Sequence, residues 1–124
     1  MDYRLELITI PVSDVDRAKA FYADRMGFTV DHDTNPADGV RVVQLTPRGS
    51  ACSIVIGTGL PPMEPGSIKG LQLVVTDMDA AYEELSGRGL ELGEVQTLGG
   101  FRFVFFGDPD GNGWAMQEIR EAAA

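Results

Sequence analysis

Histidine and cysteine are nearly missing from this chain of 124 residues, which holds one of each, His32 and Cys52. A lone cysteine excludes an intrachain disulfide and any metal site built on several thiolates. A lone histidine excludes the paired imidazoles of a zinc-hydrolase helix and leaves a serine or cysteine hydrolase one possible base. Basic residues are scarce as well. Ten Lys and Arg stand against 19 Asp and Glu, a net charge of −9. A surface that acidic repels phosphate backbones and anionic lipid, so neither nucleic acid nor membrane is an expected partner. Long apolar runs are also lacking. The longest, such as Phe103 to Phe106, are strand-length and too short to span a bilayer. No charged-then-apolar leader opens the sequence, and the expected location is the cytoplasm. What the chain does have is 44 % apolar residues, enough at this length for one core and one domain over residues 1–124.

The chain also resembles itself. Residues 12–18 read Val-Ser-Asp-Val-Asp-Arg-Ala, and residues 75–81 read Val-Thr-Asp-Met-Asp-Ala-Ala, an offset of 63. Each segment follows an apolar strand-like run, and each is followed by a helical pattern that stops at glycine. Gly27-Phe28-Thr29-Val30 then matches Gly89-Leu90-Glu91-Leu92 at an offset of 62. The turn Thr46-Pro47-Arg48-Gly49-Ser50 matches Asp108-Pro109-Asp110-Gly111-Asn112 at the same offset. Three segments in register identify a duplicated module of roughly 60 residues, too long for a solenoid repeat. Module one spans residues 1–57 and module two 68–124. The intervening 58–67, with Pro61, Pro62 and Pro65, is a linker that can neither continue a helix nor pair cleanly in a sheet.

Within each copy the local signals agree. Ser13 or Asp14 caps the first helix, and Thr76 or Asp77 the second. Val15, Ala18, Tyr22 and Met26 recur at helical spacing, as do Met78, Ala81 and Leu85. Strands are expected at 28–32, 40–46 and 51–57 in module one, and at 90–96, 101–106 and 113–119 in module two. Each copy is therefore β-α-β-β-β. The expected fold is α+β: two tandem modules forming curved antiparallel sheets, each backed by a helix, around a shared concave pocket. Alternation puts Ile8, Ile10 and Val12 toward the first helix, with Leu7 and Thr9 facing away. In the same way Leu71, Leu73 and Val75 face the second helix, with Gln72 and Val74 opposite.

The paired modules, the opening run from Ile10 to Tyr22 and the closing Gly107-Asp108-Pro109-Asp110-Gly111-Asn112 resemble the vicinal oxygen chelate superfamily, which includes glyoxalases, bleomycin-resistance proteins and extradiol dioxygenases. The resemblance covers essentially the whole chain. It implies the fold more firmly than the activity, because this fold carries enzymes and pure binding proteins alike. Its enzymes typically hold a divalent metal with His, Glu or Gln from the first and last strand of each copy. The turns place those positions here on Leu7, Gly70, Val55 and Gln117, with Glu118 a possible substitute for Gln117. Leucine, glycine and valine side chains cannot coordinate a cation, and one amide oxygen will not hold it alone. The expectation is accordingly a member with no metal site and no cofactor.

Individual residues carry both functional and structural readings. His32, between Asp31 and Asp33, is either an acid–base group or a surface residue on an edge strand; the latter is the expectation. Cys52 lacks the cationic surroundings that activate a thiol, Arg48 apart, and is expected to be inert. The Asp108 to Asn112 segment is explained by turn chemistry, with Pro109 fixing φ and Gly111 supplying positive φ. In the run Phe101 to Phe106, Phe103 and Phe105 are placed on the concave side, and the 62-residue offset puts Arg41 and Val43 there too. The expected pocket wall is Leu7, Val43, Val55, Val74, Phe103 and Phe105, with Thr9, Ser53, Gln72 and Gln117 as neutral polar groups and Arg41 as its cation. Such a wall suits a planar, mostly apolar small molecule. The leading expectation is a metal-independent small-molecule-binding protein that forms a homodimer, since two modules commonly pair with two more to complete the sites. Two alternatives stay open: a lyase, isomerase or dioxygenase with a displaced metal held by Glu6, Gln72, Gln117 or Glu118, and an interaction or regulatory protein with a vestigial pocket.

Overall fold

Two aspartates open the two helices. Asp14 accepts the amide of Arg17 at 3.0 Å, and Asp77 accepts the amide of Ala80 at 3.1 Å, each satisfying a donor that the first helical turn leaves unpaired. A computed structural model describes residues 1–120. Its elements run β1 (Leu7–Thr9), α1 (Val15–Ala20) continuing into a π-helical turn (Phe21–Arg25), β2 (Thr29–Ala37), β3 (Val40–Thr46), β4 (Ser53–Thr58), β5 (Leu71–Val75), α2 (Met78–Gly87), β6 (Gln96–Leu98), β7 (Phe101–Gly107) and β8 (Gly113–Glu118). The repeat is real: two four-stranded sheets have the orders β1-β4-β3-β2 and β5-β8-β7-β6. No helix among the described residues is long and apolar enough to cross a membrane.

The sheets are mixed rather than antiparallel as expected. β1 pairs with β4 in parallel, and β5 pairs with β8 in parallel. The helix between β1 and β2 carries the chain back so that β2 runs in the direction of β1. Two hairpin reversals then return β4 to that same direction, beside β1. Two strand bounds also differ. β2 extends to Ala37 by way of irregularities after Val30 and Thr34. The expected strand at 90–96 shrinks to Gln96–Leu98, because Leu90 and Leu92 turn into the core and leave only one ladder-like bond, Gly93 N to Phe105 O at 3.0 Å.

The helix-side faces form one core. Ile54, Ile56, Val43 and Leu45 of the first sheet join Leu71, Val104, Trp114 and Met116 of the second. Between the modules, Tyr22, Phe28, Phe106 and Trp114 pack ring against ring at 5.8–6.3 Å. Polar bonds fix this seam. The buried Tyr22 hydroxyl donates to Asp108 Oδ2 at 2.7 Å and accepts from Trp114 Nε1 at 3.0 Å. Burial, with the Asp108 carboxylate beside it, holds that hydroxyl protonated far above the usual phenol range. Asn112, fully buried, donates to Pro11 O at 2.9 Å and accepts from Ile68 N at 3.1 Å. At the helix ends the bonds are reciprocal: Arg25 donates to Gly89 O at 2.7 Å, and Arg88 donates to Asp24 O at 3.1 Å. The Asp108–Asn112 turn is thus a structural clamp.

Candidate functional site

The two sheet faces turned away from the helices are the candidate site. Their membership follows from register. In module one, Thr9, Val55 and Gln44 lie side by side, and Leu7 is paired with Ser53. In module two, Gln72, Ala115 and Phe105 make the matching row, followed by Val74, Gln117 and Phe103. Of the expected wall, Leu7, Thr9, Ser53, Val55, Gln72, Val74, Phe103, Phe105 and Gln117 therefore lie on these open faces.

Arg41 and Val43 do not. Val43 is fully buried in the helix-side core beside Ile56. Arg41 points to the same side, donating to Asp16 of α1 at 2.7 Å and to Asp33 at 2.9 and 3.0 Å. The register gives the reason. The triplet Ile8, Ile54, Leu45 has its counterpart in Leu71, Trp114, Phe106, so β3 matches β7 at an offset of 61, not the 62 read from the turns. A slip of one residue moves every side chain to the opposite face. The true mate of Arg41 is Arg102, which donates to Asp79 of α2 at 3.1 Å just as Arg41 does to Asp16. β4 matches β8 at 60, a slip of two, so Val55 keeps its face but pairs in the repeat with Ala115 rather than Gln117.

The open face of module two is aromatic. Phe103 and Phe105 stack 6.1 Å apart with planes within 7°. Phe105 is 44 % exposed and Val74 58 %, unusual for large apolar side chains on a sheet. Next to them Gln72 Nε2 donates to Gln117 Oε1 at 2.6 Å. The open face of module one is polar: Gln44, Thr46 and Ser53 bond one another, and Thr46 bonds Asp31. The register also sets His32 opposite Gln44, on the exposed edge strand β2. Sequence reasoning did not place Gln44, Thr46 and Asp31 here, although the alternation of Val42, Gln44 and Thr46 against Val43 and Leu45 held the signal. Between the two sheets a cleft of about 160 Å3 is bordered by Ile8, Cys52, Ser53, Gln72 and Trp114. That is below the roughly 300–1,000 Å3 of a site that encloses a drug-sized ligand.

Residues 4–116 match the model of the Glyoxalase/Bleomycin resistance protein/Dioxygenase superfamily. The chain belongs to this superfamily. Among solved structures it is similar to TnmS3, an antibiotic binding protein from Streptomyces sp. CB03234, at 34 % identity and a TM-score of 0.83, covering 94 % of this chain and 96 % of that one. A superfamily member from Sphaerobacter thermophilus DSM 20745 is similar at 29 % identity and a TM-score of 0.82, covering 95 % and 98 %. YwkD, an uncharacterized protein of Bacillus subtilis (strain 168), is 33 % identical over 111 residues, 83 % of this chain and 87 % of that protein.

The metal of the superfamily's enzymes does not suit this donor set. On the open faces Leu7, Val55 and Gly70 bring no donor atom, and the side-chain oxygen of Gln117 is already bonded to Gln72. Among the described residues no three His, Cys, Asp or Glu side chains gather. The displaced set loses Glu118, which lies on the helix side. Its carboxylate accepts Met78 N at 2.7 Å and Arg102 at 2.9 and 3.2 Å. Arg102 above all, with the Met78 amide, holds that carboxyl down at about 2.

Proposed function

We propose that this chain is a ligand-binding protein that holds a mostly apolar, planar small molecule against its open sheet faces without a metal ion. The observation that carries the reading is the stacked Phe103–Phe105 pair, half-buried at Phe103 and exposed at Phe105, on a face that also offers Val74 and the Gln72–Gln117 amides. Flat aromatic surface of this kind stacks on a ligand ring, while the two amides supply the few polar contacts that orient it. The likeness to TnmS3, an antibiotic binding protein, supports the reading. So does a donor set that suits hydrogen bonding better than coordination. In a single chain the aromatic face stays open, and we propose that a second copy closes it as a homodimer, each copy supplying one wall.

A thermal-shift screen of planar aromatic compounds tests this, because a ligand that prefers the native state raises its melting temperature. For any compound that binds, Phe103→Ala should weaken affinity about fivefold or more, a loss of about 1 kcal/mol. EDTA should leave the affinity unchanged. Arg102→Ala, on the helix side, should lower the melting temperature yet leave the affinity of the folded protein intact. Light scattering at micromolar concentration should give twice the chain mass. Equal affinity losses from Phe103→Ala and Arg102→Ala, or loss of binding with EDTA, would sink the proposal.

A further inference from the structure

The two modules are alike on their helix sides and unlike on their open faces. Arg41 and Arg102, Val43 and Val104, Asp16 and Asp79 are repeat mates with the same role. On the open faces the mates of Gln44, Thr46 and Ser53 are Phe105, Gly107 and Gly113. Among the described residues the polar strip therefore has no counterpart in the other module.

The strip has a direction. Thr46 Oγ1 donates its one proton to Asp31 Oδ2. With that proton committed, the 2.7 Å contact between Thr46 Oγ1 and Ser53 Oγ must be donated by Ser53. Ser53 Oγ in turn accepts from Gln44 Nε2 at 3.3 Å. Each bond in the series Gln44, Ser53, Thr46, Asp31 is donated toward the carboxylate. Of the atoms left over, Asp31 Oδ1 and Gln44 Oε1 are acceptors that meet no donor among the described residues, and the second N–H of the Gln44 amide is a donor. Asp31 also lacks the partner its neighbours have. Asp33 pairs with Lys19 and Arg41, Asp16 with Arg41, Asp79 and Glu118 with Arg102, but among the described residues Asp31 meets no cation. A bulge sets it there: Val30 pairs with Leu45 and His32 with Gln44, so Asp31 is the extra residue, aimed onto the face of Thr46. Bulges of this kind re-aim a side chain beside a site.

From this strip, which ends in an uncompensated carboxylate, we infer that the ligand carries a protonated amine, which Asp31 binds while the ring system lies on Phe103 and Phe105. The inference rests on the binding reading above and adds the charge and donor character of the ligand. A carboxylate that accepts from a cation gives a stronger, shorter bond than a neutral pair.

Two fluorescent probes of matched shape separate the terms, 9-aminoacridine as the cation and acridone as its neutral counterpart, titrated in 0.15 M salt to damp the long-range field of the acidic surface. The wild type should bind 9-aminoacridine about tenfold more tightly than acridone, a difference of about 1.4 kcal/mol. Asp31→Asn should bring the two affinities within about twofold of each other. Asp38→Asn removes the same charge from the exposed β2–β3 turn and should leave the tenfold ratio in place. Phe103→Ala should weaken both probes alike. A ratio that survives Asp31→Asn, or that falls equally with Asp38→Asn, overturns this inference alone if Phe103→Ala still weakens both probes. Failure of the wild type to bind either probe, or binding indifferent to Phe103→Ala, overturns the site reading and this inference with it.

Discussion

Single atoms decide much here, and the Tyr22 hydroxyl is the clearest case. It sits between Asp108 and Trp114: the indole N–H has its partner there, and the Asp108 carboxylate accepts from it as well as from Asn112 and the Asp110 amide. Tyr22→Phe keeps the ring packing but removes the acceptor of the indole N–H and one donor to the carboxylate. Buried groups left unpaired cost about 1–3 kcal/mol, and denaturant unfolding should register a loss of that size with ligand affinity little changed. The alternation of the Phe101–Phe106 run separates Phe103 and Phe105 from Val104 and Phe106, but only the strand register decides which set faces away from the helices. Turn residues announced the structural role of Asp108 to Asn112. Arg41 and Val43 were misplaced because their facing was inferred from a turn that differs in length between the modules. A turn can absorb one residue without changing its Pro-x-Gly chemistry, whereas a strand with period two cannot.

At the scale of the element, the two helices are held at their starts by carboxylates of different kinds. Asp14 and Asp77 are local caps. Glu118, at the end of β8, adds a second acceptor for the start of α2 and ties it to Arg102. Because its folded pKa is depressed from 4.5 to about 2, its contribution is full above the ordinary glutamate range and is lost as pH falls toward about 2. Glu118→Gln should therefore be less stable than the wild type at neutral pH, and the gap should close between about pH 5 and about pH 2.5 in unfolding curves taken across that range. A gap that stays constant with pH would assign the loss to packing instead. The helices and most strands could be read from caps, apolar stripes and alternation. The parallel pairings of β1 with β4 and β5 with β8 could not, since strand direction is set by how the whole module closes. The Asp31–Gln44 strip escaped for a related reason, because its members come from three strands and meet only when register is known.

For the whole molecule, duplication in sequence did not produce two independent halves. The carbonyl end of each helix is met by an arginine from the other module, Arg25 at Gly89 and Arg88 at Asp24. Positive charge at that end of a helix is favourable, and here each module receives part of it from its twin. Tyr22 of module one likewise has its hydrogen-bond partners in module two, and Asn112 of module two has one in Pro11. Each half thus leaves polar groups whose partners lie in the other half. The chain should accordingly melt as one cooperative unit, with calorimetric and van 't Hoff enthalpies equal, and a fragment ending at Ser67 should stay unfolded by circular dichroism. Two separate transitions would mean that the seam is an association of autonomous halves. Duplication here doubled the pattern while making each copy the other's missing piece.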